Sequence, residues 1–593
     1  MKLKDILSPF TAWNNIVKSP VTVRKPLTER PGSPRYRGFH KNDIQTCIGC
    51  GTCEEICENK AIDMVPVEDI EPGKGDSGLR PLVDYGRCCW CGLCVDVCTT
   101  GSLTMSNEYT WVSADPEDFR YIPGVDAKSW DDADLGWKKP EYELYNPERV
   151  SMDEMEAGER VTSFLEIVKG YSKEQALLEA DRCVECGLCV ATCPAHMDIP
   201  GYIRAIREED MTTGLKLLYD TNPLPEICGR VCTHRCEEAC SIGVQGDPLA
   251  IRWLKRYIAD EVPFEKYKEI LGLDSLPEKN KRVGIIGAGP SGLSAAYYLR
   301  TTGYQVTVFE AKERGGGMTM YGIPKYRLPL EILEQEVNVI RDMGVEFRFN
   351  TKVGRDIKFE EIYDSFDAVF IGLGFEKPYL IAIPGEELEG SIQAIDYLRE
   401  INAGHSMEIG QRTAVIGGGN VAMDAARVAK RSGAAVTILY RRRVQDMPAD
   451  PEEIEGAIEE GVEIIPQTIP VKILSDNQGH VKAIEYLTAR MEPDPKGGRP
   501  RPVAIEGSEK TLELDSVIGA IGQEADYDLM DPEWLNKLDI NRGRMVIEPD
   551  GQTTLPKVFA GGDAVNRTAD AISAIADGHK AAKGIDAFLS AQK

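Results

Sequence analysis

The stretch from Val283 to Gly292, VGIIGAGPSG, decides how the chain is read. An apolar run of strand character ends directly in Gly287-x-Gly289-x-x-Gly292, with Pro290 and Ser291 between the last two glycines, and a helical pattern of Leu293, Ala296, Tyr297 and Leu299 follows. That order is the turn of a dinucleotide-binding unit. The first glycine permits the tight turn, the second lets a pyrophosphate approach the backbone, the third lets helix pack on strand, and the helix N-terminus faces the phosphates. The next strand, residues 305–310, closes on Glu310, whose carboxylate suits the ribose hydroxyls. A glycine-rich turn without ligand is the plain alternative; strand, glycines, helix and acid arriving in order weigh against it.

Toward the C-terminus, residues 314–318 (RGGGM) hold Gly316 and Met318, and YGIPKYRLP (321–329) holds Arg327. VFIGLG (369–374) reads as the strand leaving the first lobe at Gly374, with Ile383-Pro384-Gly385 as the crossing. VFAGGD (558–563) repeats strand, glycines and carboxylate with Gly562 and Asp563, and a helix opens at Ala571 and Ile572. Between these lobes a strand at 412–416 runs into Gly417-x-Gly419-Asn420-Val421 and a helix through Met423, Ala426 and Val428. The following strand, 436–440, ends in Arg441, Arg442 and Arg443 in place of an acid. A carboxylate there would repel a 2'-phosphate and guanidinium forks grip it, which favours NADP over NAD; a solvated basic run is the alternative.

A chain of 593 residues divides into three to five domains. Its net charge of -27 argues against nucleic acid as a partner. Residues 1–41 carry nine Lys or Arg against two acids, an arm for an acidic partner or a solvated tail. No apolar run approaches bilayer length and the start MKLKDILSPFTAW lacks a signal-peptide core, so a cytoplasmic protein without a membrane span is expected.

Seventeen cysteines fall in four groups. Cys47, Cys50, Cys53 and Cys57, then Cys88, Cys91, Cys94 and Cys98, then Cys183, Cys186, Cys189 and Cys193 each follow C-x2-C-x2-C-x3-C; Cys228, Cys232, Cys236 and Cys240 follow at every fourth residue. The first spacing wraps three thiolates round one cubane and sends the fourth to another, a rhythm that zinc sites rarely repeat, and the lack of an export signal disfavours disulfides. Crossing the ligands gives one 4Fe-4S cluster from Cys47, Cys50, Cys53 and Cys98 and a second from Cys88, Cys91, Cys94 and Cys57. Cys89 is surplus and expected as a small buried side chain.

SPRYRGFH (33–40), CIGCGTCEEIC (47–57) and GRCCWCGLCVDVCTTGSLTMSNEY (86–109) resemble the two-cluster subunit of respiratory complex I, departing at Glu58 and Thr99, where that family has Pro. ERVTSFLEIVKGYSKEQALLEADRC (159–183), with Val161, Phe164, Leu165 and Val168 on one helical face and Ala176, Leu177 and Ala180 on a second short helix, and NPLPEICGRVCTHRCEEACSIG (222–243) resemble the glutamate synthase small subunit and the N-terminal half of dihydropyrimidine dehydrogenase; YGIPKYRLP is a signature of that small-subunit family near its flavin. The resemblance, which extends to the large subunit of bifurcating transhydrogenases, implies one cluster on Cys183, Cys186, Cys189 and Cys240 and another on Cys193, Cys232 and Cys236. Relatives often complete the latter with Gln or Glu where this chain has Lys255, which offers no lone pair when charged. Cys228 is then the expected fourth ligand, a buried free thiol being the alternative. In related flavoproteins the carboxylate matching Asp563 binds the flavin's ribityl and phosphate portion, and the following helix faces the pyrimidine edge of the ring.

The expected fold is an α/β two-dinucleotide-binding flavoprotein, two Rossmann-type domains with one inserted in the other, preceded by an α-helical iron-sulphur domain and a small α+β 2x(4Fe-4S) ferredoxin domain. Expected boundaries are 1–110 for arm and ferredoxin domain, 111–145 for a linker wrapping a neighbouring surface, 146–270 for the helical two-cluster domain, 281–385 and 515–593 for the FAD-binding domain, and 386–514 for the NADP-binding domain. FAD between NADP(H) and four 4Fe-4S clusters makes an electron-transfer oxidoreductase subunit, because a flavin converts two-electron into one-electron transfer. The expected partner is a ferredoxin or another iron-sulphur or flavin subunit of a complex. Alternatives are an electron-bifurcating role, the glutamate synthase small subunit, and a conducting scaffold with vestigial nucleotide sites. No general acid or base is assigned, and the six His offer no metal constellation.

Overall fold

Runs such as RVGII (282–286) and AVFI (368–371) are apolar on both faces, which suits strands of a parallel sheet covered on both sides by helices. In the computed structural model, which describes residues 32–591 apart from 69, 71, 74, 129, 139–145, 245 and 495–496, the chain folds as two compact units. The smaller comprises the described residues up to Glu148 with 184–188 and 239–248; the larger comprises 149–183, 189–238 and the described residues from Leu249 on. Most of the basic N-terminal arm and the end of the expected linker lie outside the described residues.

The larger unit holds two five-stranded parallel sheets. The first orders Val558–Ala560, Ala368–Ile371, Arg282–Ile286, Gln305–Phe309 and Glu346–Arg348 side by side. The second orders Ser391–Gln393, Ser516–Gly519, Arg412–Ile416, Ala435–Tyr440 and Glu463–Pro466. An antiparallel pair, Lys377–Pro378 with Gln523–Glu524, lies where the chain leaves and re-enters the first lobe. Ser516–Gly519, expected in the last segment of the FAD domain, pairs instead with Arg412–Ile416. An apolar SVIG strand suits either parallel sheet, and only the tertiary pairing distinguishes them.

Of the helical stretch expected from Glu159 through Val168, only Glu159 and Arg160 are helical, at the end of Ala157–Arg160. Val168 bridges Glu154, Ile167 N–H donates to the Tyr326 carbonyl at 3.0 Å, and the Ile167 side chain joins the core around the second sheet. Leu165, expected on one helical face with Val161, Phe164 and Val168, is 70% exposed. The next expected helix, Lys173–Ala180, begins at a Ser172 capping box.

The smaller unit repeats one design. Helices Thr52–Glu55 and Leu93–Asp96 each start at a left-handed glycine, Gly51 (φ 78°) and Gly92 (φ 83°). His40–Asn42 pairs with Leu103–Met105, and Leu79–Asp84 lies between Ile62–Pro66 and Arg120–Tyr121. The stretch expected as a linker is part of this core: Tyr121 and Trp130 are buried, and Trp130 stacks on Phe39 at 4.3 Å between ring centres. Its aromatic content serves its own unit.

In the larger unit, the helices Pro290–Thr302 and Ala571–Ala591 cross closely, with Ser294 Oγ donating to the Ile575 carbonyl at 2.7 Å. A Cβ on Gly578 would lie 2.2 Å from the Ser291 carbonyl oxygen. Gly578→Ala is therefore expected to destabilise the protein by about 1–3 kcal/mol. Thermal unfolding checks this, and an unchanged Tm would contradict the close helix approach.

Candidate functional site

Both fingerprints open on one cavity of about 1070 Å³ in the larger unit. Pro290, Ser291, Met318, Gly374, Gly562, Asp563 and Ala571 line it from the first sheet; Gly417, Gly419, Asn420, Val421, Arg441 and Arg442 line it from the second. Residues as far apart in sequence as Pro290 and Ala571 thus meet at one cavity, because parallel strands place all their turns at one edge.

The other fingerprint glycines shape the turn. Gly287 has φ 97° and a Cβ there would meet the Gly372 carbonyl at 2.5 Å; a Cβ on Gly292 would lie 2.0 Å from the Gly287 carbonyl. Gly289 differs: a Cβ there has nothing nearer than Gly317 Cα at 3.9 Å, so the room above the helix N-terminus is open. Gly316 sits at φ 122°, a backbone that only glycine adopts readily. Glu310 accepts the Ala288 N–H at 2.8 Å and the Lys312 N–H at 2.9 Å, so its carboxylate fastens the turn. Burial pushes that carboxyl up.

Two features fit the cofactors. Asp563 is raised to about 6, mainly by burial and then by Asp570, and among the described residues no hydrogen-bond donor meets its carboxylate. A flavin's ribityl hydroxyl supplies such a donor. Gly562 is held by its N–H to Asp577 Oδ2 at 3.0 Å, and Asp570 caps the final helix through the Ser573 N–H at 2.8 Å. At the other end, Arg442 Nε is fixed on the Pro500 carbonyl at 2.8 Å, while Arg443 turns to Asp446 at 2.8 Å. Arg499, which the sequence reading missed, lines the cavity with Arg441 and Arg442. It comes from the turn before strand Arg501–Ala504, and GGRPRP between two strands is the signal that marks it.

Arg327 lines the cavity, but its guanidinium pairs with Asp424 at 2.9 Å and Glu453 at 2.8 Å, so it ties YGIPKYRLP to the second nucleotide domain. His234, Asp450 and Glu452 form a metal-capable trio that the sequence reading did not foresee; Nε2 of His234 lies 3.4 Å from Asp450, and Arg252 pairs with Glu452.

In the smaller unit the cysteines of the two motifs lie among one another. The buried thiol of Cys53 is pushed up by burial and then by Cys50, Cys94, Cys98 and Cys47; that of Cys94 by burial and then by Cys88, Cys91 and Cys57. Backbone amides point at sulfur, Ala61 N–H to Cys57 at 3.2 Å and Leu103 N–H to Cys98 at 3.5 Å. Thr99 is buried with its hydroxyl 4.0 Å from Cys50 Sγ, a contact that Pro lacks. Cys89 is exposed, not buried as expected, because the Cys88–Cys91 loop carries it outward beside exposed Cys91. Cys186 approaches Ser241 Oγ at 3.2 Å, and the Cys50 thiol is pushed up mainly by burial and then by Cys186 and Cys98.

In the larger unit Cys193, Cys232 and Cys236 line a small cavity with Lys255 and Ile572. Cys228 is fully buried and does not line it, but its thiol feels Lys255 and Cys232. The buried Lys255 ammonium is held up against desolvation by Cys232, Cys228, Cys236 and Cys193, and among the described residues no carboxylate pairs with it. An unpaired buried cation is costly unless an anion neighbours it, and an anionic thiolate cluster fits that need.

Two outcomes are expected. A charge-assisted hydrogen bond to phosphate contributes about 1.5–3 kcal/mol, so Arg441→Ala with Arg442→Ala should raise the KM for NADPH at least about tenfold relative to NADH, and Arg499→Ala should add to it. Steady-state kinetics with both nucleotides measure the ratio. Cys228→Ser should cost about four irons while Cys89→Ser costs none, read by iron analysis.

Residues 46–102 match the family described as 4Fe-4S dicluster domain, 160–267 the dihydropyrimidine dehydrogenase domain II with its 4Fe-4S cluster, and 281–578 pyridine nucleotide-disulphide oxidoreductase. The chain is 39% identical to the NADPH-Fe(3+) oxidoreductase subunit beta of Geobacter sulfurreducens, over 68% of this chain and 64% of that one. It is 39% identical to the NADP(+)-dependent formate dehydrogenase subunit beta of Moorella thermoacetica over 68% and 60%, so both matches span less than two thirds of those relatives. Against the small chain of glutamate synthase [NADPH] of Escherichia coli it is 35% identical over 76% of this chain and 98% of that one. Ferredoxin-type domains lead into the FAD and NAD(P) fold. The chain therefore belongs to the pyridine nucleotide-disulphide oxidoreductase family and to that of the glutamate synthase small chain.

Proposed function

We propose that the chain is an NADPH-dependent FAD and iron-sulphur oxidoreductase subunit that moves electrons between NADPH and a one-electron partner through four 4Fe-4S clusters. A shared wall carries this reading: Thr233, His234 and Arg235 line both the nucleotide cavity and the cysteine cavity, and the adjacent residues Ala571 and Ile572 line one cavity each. Arg235 also pairs with Asp570 at 2.6 Å, fastening the cysteine segment to the start of the final helix. FAD, when bound, accepts both electrons of NADPH and releases them singly. In this reading Arg441, Arg442 and Arg499 hold the 2'-phosphate, the turn at Gly289 holds the flavin pyrophosphate, Glu310 keeps that turn and faces the ribose, and the helix beginning at Ala571 presents its amides to the ring.

Cys193, Cys232, Cys236 and Cys228 would hold the cluster beside the flavin. The proximity of Cys50 to Cys186 supports onward passage to the ferredoxin pair. Exposed Cys89 and Cys91 mark the end that meets a partner, a ferredoxin or another iron-sulphur or flavin subunit. The names of the formate dehydrogenase and Fe(3+) oxidoreductase relatives, both beta subunits, support placement in a complex. Seventeen cysteines without a disulfide support the cytoplasm as its place, and among the described residues no helix is long and apolar enough to cross a membrane. Near full-length similarity to a glutamate synthase small chain favours that role as the second reading; the dicluster domain ahead of it favours the first.

Anaerobically purified protein is expected to hold about sixteen irons and one FAD. Because a side chain at Gly289 meets open room, Gly289→Leu should fold yet lose FAD, and NADPH should then leave every cluster oxidised while dithionite reduces them. Optical and EPR spectra decide it; clusters reduced by NADPH without flavin would overturn the order of transfer.

A further inference from the structure

We infer that His40 donates a hydrogen bond to the Sγ of Cys94 and so raises the reduction potential of the cluster on Cys57, Cys88, Cys91 and Cys94, an inference that rests on that ligand assignment. His40 lies in the strand His40–Asn42 and is buried. Its Nε2 is 3.2 Å from Cys94 Sγ and its Nδ1 is 2.7 Å from the Tyr85 hydroxyl. Proton bookkeeping fixes the direction. The Tyr121 hydroxyl donates to the His40 carbonyl at 2.5 Å and accepts from Trp130 Nε1 at 3.2 Å. The Tyr85 hydroxyl accepts the His40 backbone N–H at 2.7 Å, which leaves its own proton for Nδ1 at 2.7 Å or the Tyr121 oxygen at 3.3 Å. Donation to Nδ1 is the shorter bond, and it puts the single ring proton on Nε2, facing sulfur. The opposite tautomer would aim a buried lone pair at an anionic thiolate.

An N–H···S bond withdraws charge from the sulfur and favours the more negative, reduced cluster. Tyr85, Tyr121 and Trp130 act as positioning residues that hold the imidazole in that tautomer. The cluster concerned is the one beside exposed Cys89 and Cys91, where electrons would meet a partner.

The test is an EPR-monitored redox titration of the full chain with all clusters loaded. His40→Leu should lower the reduced-to-oxidised ratio of one cluster at the wild-type midpoint by at least about tenfold, equivalent to about 59 mV for one electron. His40→Gln, which keeps a donor, should stay within about threefold of wild type, and Tyr85→Phe, which frees the tautomer, should fall between. In wild type, electron-nuclear double resonance should find an exchangeable proton coupled to that cluster, absent in His40→Leu. A full iron content with an unmoved midpoint in His40→Leu overturns the inference alone. Should that variant lose iron, an unshifted Tyr85→Phe together with no exchangeable proton in wild type overturns it instead. Cys94→Ser that keeps every iron overturns the ligand assignment, and the inference with it.

Discussion

Three parallel pairings, Val558 with Val369, Phe559 with Phe370 and Ala560 with Ile371, hold the C-terminal segment at the edge of the first sheet. They set the register that brings Gly562 and Asp563 to the fingerprint turn and the start of the final helix, at Ala571, to the cavity wall. That helix in turn carries Ile572 into the cysteine cavity and Asp570 to Arg235. A one-residue slip would exchange the faces of this strand and separate the nucleotide edge from the cysteines.

Charge is the second constraint. The cysteine sites crowd thiols whose ionisation is opposed by burial and then by neighbouring negative charge, and bound metal ions offset both. Lys255 adds a buried cation beside the thiols of the larger unit, and His40 adds a donor in the smaller unit. The nucleotide half uses buried ion pairs: Arg327 with Asp424, Arg427 with Glu453 and Glu460, Arg431 with Glu460. Removing one partner of such a network leaves an unpaired buried charge, which costs about 3–5 kcal/mol.

Local patterns carried much of this molecule. Short-range spacing is enough for a C-x2-C-x2-C-x3-C loop or a strand-glycine-helix turn, because the geometry each needs spans about a dozen residues. Arg499 and His40 were not legible in the same way. Arg499 belongs to a turn that folds back on Arg441 and Arg442, and His40 meets Cys94 across 54 residues through the pairing of His40–Asn42 with Leu103–Met105.

By itself the sequence determined both nucleotide turns, the cysteine groups and the basic end of Ala435–Tyr440, since each is a local steric or charge requirement written in neighbouring residues. Tertiary structure decided where Ser516–Gly519 pairs, that Val161 to Val168 is not a helix, that aromatic residues after Thr110 build the small unit's core, and that Cys89 faces outward. Those outcomes turn on which distant surface an apolar segment buries against, and periodicity within the segment is the same for every candidate surface.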